Sequence, residues 1–85
     1  MEKFEWNPLK SERLKKTRGI SFEELTQTRF IDIRKHPNRE DQEILLFEYR
    51  NAIWVVPFVR SVDFWFLKTL YRSRKYTKMF QRGEL

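Results

Sequence analysis

The first third of the chain carries the pattern of a short strand followed by two helices. Residues 4–6 alternate apolar and polar side chains, as a strand does. Asn7 can cap a helix, and Pro8 suits the first helical position because its missing N–H would be unpaired there. The pattern predicts a helix over residues 8–18, which ends where Gly19 can adopt a left-handed conformation without steric cost.

A second helix start follows directly. Ser21 and Glu24 have the spacing of a capping box, in which each side chain hydrogen-bonds the other residue's backbone N–H. We therefore expect a short helix that ends near Thr28 and buries Phe22 and Leu25.

From Phe30 onward the hydrophobic period changes to two, which predicts strands. The Arg50-Asn51 link is short enough for a hairpin, and Pro57 predicts a bulge or an edge position, because proline cannot donate to a ladder. The predicted strands cover residues 30–34, 44–49, 52–59 and 64–71. Residues 73–80 are expected to form a short terminal helix.

These elements predict an α+β fold in one domain over residues 1–85. Two N-terminal helices would pack on one face of a twisted, mainly antiparallel sheet of four to five strands, with a short C-terminal helix. The opposite face of the sheet is expected to be free to carry a site. Eight Phe, three Trp and three Tyr supply the core of this small domain.

Composition restricts the function further. The 85 residues include 18 Lys and Arg against 12 Asp and Glu, a net charge of +6, which favours nucleic acid or another polyanion as partner. The absence of cysteine excludes disulfides, thiolate zinc sites and cysteine nucleophiles. No apolar run is long enough for a membrane span or a signal peptide, so we expect a cytoplasmic protein without a membrane partner.

The remaining candidate chemistry is cationic and phenolic. A single histidine argues against a His-based metal cluster, and two glycines are too few for a phosphate-binding loop. No metal or cofactor is therefore expected. RNA cleavage needs neither, because the 2′-hydroxyl is the nucleophile and side chains move protons and stabilise charge. The candidate catalytic residues are His36, Lys68, Tyr71 and Arg74. The candidate phosphate-binding residues are Arg72, Lys75 and Lys78.

Each of these residues also has an ordinary structural explanation. His36, which precedes Pro37, is as well suited to organising a turn as to catalysis. Lys68 interrupts an apolar strand and either faces solvent or lines a site. Tyr71 fits a core aromatic with a solvated hydroxyl, and basic runs such as Arg74-Lys75 are more often plain surface charge.

Ordered motifs along nearly the whole chain resemble the BrnT family of toxins. The opening Phe4-Glu5-Trp6-Asn7-Pro8 with Lys10 resembles the start of those proteins, as does the segment from Arg18 to Glu24. Later segments resemble a branch of BrnT-like proteins. They are His36-Pro37-Asn38, Gln42, Tyr49, Val56-Pro57-Phe58-Val59, Phe66-Leu67-Lys68-Thr69 and Ser73-Arg74-Lys75.

The resemblance implies a RelE-like fold and a metal-independent endoribonuclease that inhibits translation as the toxin of a type II toxin–antitoxin system. It implies an antitoxin partner with a ribbon–helix–helix or similar DNA-binding part, so that operator DNA is bound only through the complex. The family's basic positions fall on Lys68, Arg74 and Lys75, and His36 and Tyr71 match motif positions.

Two other functions stay open at this point. A basic module of this size can bind nucleic acid or an acidic protein without cutting anything. A weaker alternative is that the domain depends on a partner for folding, with Trp54, Phe64 and Trp65 forming an aromatic docking patch.

Overall fold

The structure, a computed structural model, describes residues 3–85. Six strands and three helices make up this part of the chain, and none of these helices is long and apolar enough to cross a membrane. The elements in chain order are β1 (Phe4–Glu5), α1 (Pro8–Arg18), α2 (Phe22–Leu25), β2 (Arg29–Lys35), β3 (Glu43–Tyr49), β4 (Ala52–Arg60), β5 (Trp65–Leu67), β6 (Tyr71–Ser73) and α3 (Arg74–Gln81).

The helix caps predicted for the N-terminal half of the chain are present. The Asn7 side chain accepts from two backbone N–H groups of α1, and Gly19 ends that helix with φ of 84°. The Ser21–Glu24 capping box is present, but α2 ends at Leu25, before the predicted Thr28. The early end has a local cause, because threonine hydroxyls at positions 26 and 28 donate to the last carbonyls of this helix.

The sheet is mixed and mainly antiparallel, as predicted. The strand order is β1-β5-β4-β3-β2, and β6 also pairs with β4. Only β1 runs parallel to its neighbour, β5. With the short strands β1 and β6 the sheet has six strands in the described chain, one more than the upper expectation of five.

The hairpin between β3 and β4 has the predicted two-residue link. Tyr49 pairs with Ala52, and both linking residues have positive φ, 52° at Arg50 and 62° at Asn51. Positive φ at both positions matches the right-handed twist of the strands. The guanidinium carbon of Arg50 lies 5.1 Å from the centroid of the Tyr49 ring.

The predicted single strand over residues 64–71 is wrong. Two short strands take its place, because β5 pairs with the second half of β4 and β6 pairs with its first half. Pro57 lies where the partner of β4 changes, and its carbonyl accepts the Lys68 N–H at 2.8 Å. The bulge or edge position predicted at Pro57 is wrong, because β4 is a central strand and its pairing with β3 continues in unbroken register through Pro57.

Apolar clusters cover both faces of the sheet. On one face α1 and α2 pack against side chains that include Leu45, Phe47 and Phe58. On the other face Tyr76 and Phe80 of α3 pack against Ile44, Leu46, Ile53 and Val55. The expectation of a free second face is therefore wrong, because the terminal helix folds back onto it.

The aromatic docking patch expected at Trp54, Phe64 and Trp65 is not exposed as a unit. Trp65 is buried and stacks on Phe58, with ring centroids 4.8 Å apart. Trp54 and Phe64 are half-buried. Most of this aromatic surface therefore serves the core of the domain.

Replacing Thr77 with valine is expected to cost about 1–3 kcal/mol of stability. The buried Thr77 hydroxyl accepts the Ile53 backbone N–H at 2.8 Å and so joins α3 to β4. Valine keeps the shape but leaves that N–H buried without an acceptor. Urea unfolding measures the loss, and the same change at exposed Thr17 is the matched control, for which we expect almost none. Equal stability of both variants would contradict this role.

Candidate functional site

The loop between β2 and β3 is organised by His36. Its ring Nδ1 accepts two backbone N–H groups, from Asn38 at 3.0 Å and from Arg39 at 3.2 Å. The His36 N–H in turn donates to the Gln42 carbonyl, which closes the loop. Because Nδ1 is an acceptor, the neutral ring carries its proton on Nε2 and presents a hydrogen-bond donor there.

The segment between β5 and β6 is anchored in the middle and exposed on both sides. Leu70 is fully buried, and its carbonyl accepts from the guanidinium of Arg18 at the end of α1. Lys68 is exposed, with its Nζ 5.6 Å from the centroid of the Phe66 ring. Tyr71 is 38% exposed. The anchored Leu70 thus fixes the backbone positions of Lys68 and Tyr71.

Three of the four predicted catalytic residues meet at one cleft of about 390 Å³. They come from separate segments: His36 follows β2, Lys68 follows β5, and Tyr71 begins β6. We call this feature the cleft, and its lining residues are Lys10, His36, Arg39, Gln42, Pro57, Lys68, Thr69 and Tyr71.

The charge of the cleft is positive. Lys10, Arg39 and Lys68 line it, and none of the Asp and Glu residues among residues 3–85 does. A concave surface that carries charges of one sign concentrates ligands of the other sign. The cleft therefore suits an anion such as a phosphodiester, which amines and guanidinium groups bind well.

Burial raises the pKa of the Tyr71 phenol above its ordinary value, and nearby Tyr76 adds to the rise. A phenol whose pKa is raised stays protonated at neutral pH. Tyr71 therefore presents a protonated hydroxyl to the cleft at neutral pH.

The other predicted residues lie outside the lining of the cleft. Arg74 is the first residue of α3, and it is exposed, as are Lys75 and Lys78 on the same helix. The Lys75 Nζ lies 5.6 Å from the centroid of the Tyr76 ring. Arg72 follows Tyr71 in β6, so its side chain points to the opposite face of the sheet, and it lines a different pocket.

Two cations of the cleft were missed as site residues. Lys10 belongs to the first turn of α1 and had been named only as part of the opening motif of the chain. Arg39 belongs to the loop that His36 organises. Its position three residues after His36, in a polar turn, is the signal that would have found it.

Among residues 3–85, no group of three or more His, Asp or Glu side chains is placed to hold a metal ion. Comparison with models of known families gives no match, and comparisons with curated proteins and with solved structures give none either.

Proposed function

We propose that this protein is a metal-independent endoribonuclease, the toxin of a type II toxin–antitoxin system, with a RelE-like fold. The observation that carries the proposal is the meeting of His36, Lys68 and Tyr71 in one positive cleft. They are the residue types that RNA cleavage needs, and they are separated by up to 35 positions in sequence. The sequence resemblance to BrnT toxins, which includes His36 and Lys68 among its motifs, also supports the proposal.

The first role of the cleft is to hold the scissile phosphate. Lys10, Arg39 and Lys68 surround it with positive charge, and the Nε2–H of neutral His36 donates to a phosphoryl oxygen. These donors are worth most when the phosphorane forms, because its extra negative charge develops where they already point. The main effect of the cleft is thus charge stabilisation in the transition state.

The second role is proton transfer to the leaving group. The 2′-oxygen attacks phosphorus and its proton passes to solvent, while the bond from phosphorus to the 5′-oxygen breaks. Tyr71 gives its proton to that oxygen and takes one back from solvent. The products are a 2′,3′-cyclic phosphate and a 5′-hydroxyl. An ordinary phenol is already protonated at neutral pH, and burial raises the pKa of Tyr71 further, so the donor form is present across the neutral range.

The partner in this proposal is an acidic antitoxin. A net charge of +6 on 85 residues favours association with a protein of opposite charge. The antitoxin supplies a ribbon–helix–helix or similar DNA-binding part, so operator DNA is reached only through the complex. Covering the cleft would block the access of RNA.

The competing function is a basic module that binds nucleic acid or an acidic protein without cutting. Its support is the net charge, which does not depend on the cleft. The two functions differ in product chemistry, because a binding module leaves RNA intact.

The test is incubation of the purified protein with RNA in EDTA, followed by analysis of the product ends. We expect cleavage that leaves 2′,3′-cyclic phosphate or 3′-phosphate ends, together with growth arrest on expression in bacteria. A parallel reaction with RNA on translating ribosomes covers ribosome-dependent cleavage. Intact RNA in both reactions would refute the ribonuclease and favour the binding module.

A further inference from the structure

A second basic pocket lies at the other end of α1 from the cleft. It has a volume of about 230 Å³, and we call it the arginine pocket. Its lining residues are Arg18, Gly19, Ile20, Tyr49, Arg50, Ala52, Trp54 and Arg72. Lys10 in the cleft and Arg18 here are eight residues apart on one helix, which corresponds to about 12 Å along its axis.

The three arginines of this pocket are not neutralised by the described chain. Arg34 and Arg60 each have a carboxylate partner, at Asp32 and Glu43. None of the pocket's arginines forms such an ion pair with any of residues 3–85. Arg18 uses part of its guanidinium on the Leu70 carbonyl, so Arg50 and Arg72 are the two best able to meet an external anion, and phosphate matches their planar geometry.

Two aromatic rings stand beside these cations. Trp54 is the direct cross-strand partner of Arg72, which puts both side chains on the same face of the sheet. Tyr49 lies under the Arg50 guanidinium, at 5.1 Å. Both rings are half-buried and pack against the apolar core, and each also lines the pocket.

Arginines together with aromatic rings are the combination that binds single-stranded nucleic acid, because the base stacks on a ring and the phosphate meets a guanidinium. A volume of about 230 Å³ is below the range of roughly 300–1,000 Å³ typical of pockets that enclose a drug-sized ligand. The pocket is therefore sized for part of one nucleotide and not for a large cofactor.

We propose that the arginine pocket binds one nucleotide of single-stranded RNA that flanks the scissile phosphate, with its base on Trp54 and its phosphate on Arg72. Among the described strands β6 pairs only with β4, so RNA can pass its open edge from Tyr71 to Arg72. This inference rests on the proposed ribonuclease for the identity of the strand. It makes the pocket a determinant of which base lies beside the cut.

The test measures binding separately from cleavage. The probe is a fluorescein-labelled 2′-O-methyl oligoribonucleotide of about eight nucleotides, which cannot be cut because its 2′-oxygen is blocked. Anisotropy gives the Kd. We expect Arg72→Gln to weaken binding by about 10-fold and to lower the slope of log K against log salt by about 0.7. Arg82→Gln, an equal charge loss on an exposed residue outside both sites, is the control and should change Kd by less than about 2-fold.

Trp54 is tested with a pair of variants. Trp54→Leu removes the ring and is expected to weaken binding by about 10-fold, since stacking is lost. Trp54→Phe keeps an aromatic face and should bind within about 3-fold of wild type, while it abolishes the quenching of tryptophan fluorescence by the oligonucleotide. Thermal melts establish that each variant is folded.

The outcomes separate this inference from the proposed function. Equal Kd for Arg72→Gln and Arg82→Gln would overturn the inference, whatever the cleavage assay gives. Loss of binding in Arg72→Gln, in a protein that cuts no RNA, would support the pocket and refute the ribonuclease. Quenching of Trp54 by a polyglutamate peptide but not by the oligonucleotide would also overturn the inference, because the pocket would then accept an acidic protein segment.

Discussion

Replacing Lys68 with alanine is expected to lower the rate of RNA cleavage by about 10²–10⁴-fold, with little change in stability. The side chain is exposed and forms no hydrogen bond with any of residues 3–85, while its backbone N–H, which alanine keeps, donates to the Pro57 carbonyl. The variant therefore loses a positive charge from the cleft and almost nothing from the fold. Initial cleavage rates in EDTA, with circular dichroism as the folding check, measure the effect.

The conservative variant Lys68→Arg distinguishes two roles of Lys68, stabilisation of negative charge and proton transfer. Arginine keeps the positive charge but cannot accept a proton at any accessible pH. If Lys68 stabilises the phosphorane, this variant should retain activity within about 10-fold of wild type. Activity as low as that of the alanine variant would refute the electrostatic role and require a proton transfer by Lys68 itself.

Companion variants compare the cleft with the helix beside it. Tyr71→Phe removes the proton donor and should reduce cleavage by about 10²–10⁴-fold, whereas Arg74→Ala should reduce it less, because Arg74 is not part of the lining. The raised pKa of Tyr71 also predicts no loss of wild-type activity through tyrosine ionisation between about pH 6 and about pH 9. An Arg74 variant as inactive as the Lys68 variant would move the site toward α3.

Replacing Phe58 with alanine is expected to destabilise the domain by about 3–5 kcal/mol. Phe58 is fully buried, stacks on Trp65 and pairs with Leu67 across the sheet. Its loss leaves a cavity beneath β5, the strand that leads into the Lys68 segment. Because domains of this size are stable by only about 5–15 kcal/mol, this loss removes a large part of the free energy of folding.

Urea unfolding at low temperature measures this loss, since the variant is then still folded without denaturant. The control is Val59→Ala, one residue along and on the other face of β4, where a half-exposed side chain should cost about 1 kcal/mol or less. A decrease of less than about 1 kcal/mol in the free energy of unfolding of Phe58→Ala would mean that neighbouring side chains fill the space. That result would contradict the close stacking of Phe58 on Trp65.

The helix starts and the hairpin were predictable because their causes are local. Asn7, the Ser21–Glu24 box and the Arg50-Asn51 link each act within four residues. The split of the last strand was not predictable in the same way. Residues 64–71 read as one strand locally, and the break arises only because two segments share the flank of β4.

The candidate site likewise has one part that local sequence predicts and another that depends on tertiary structure. His36, Lys68 and Tyr71 could be chosen by their chemistry, but their meeting depends on pairings between strands far apart in sequence. Lys10 could not be assigned to the site at all without the packing of α1. The direction of the Tyr71 pKa shift likewise follows from tertiary burial, which the sequence pattern does not contain.

The composition of the cleft also bears on how the protein is made. Lys10 enters it from the first helix and Tyr71 from the sixth strand, and Arg18 of α1 holds the Leu70 carbonyl between them. During synthesis the residues of α1 therefore leave the ribosome well before the residues of β6 that complete the cleft. Until residues 68–71 are free to pair with β4, the nascent chain has no assembled cleft.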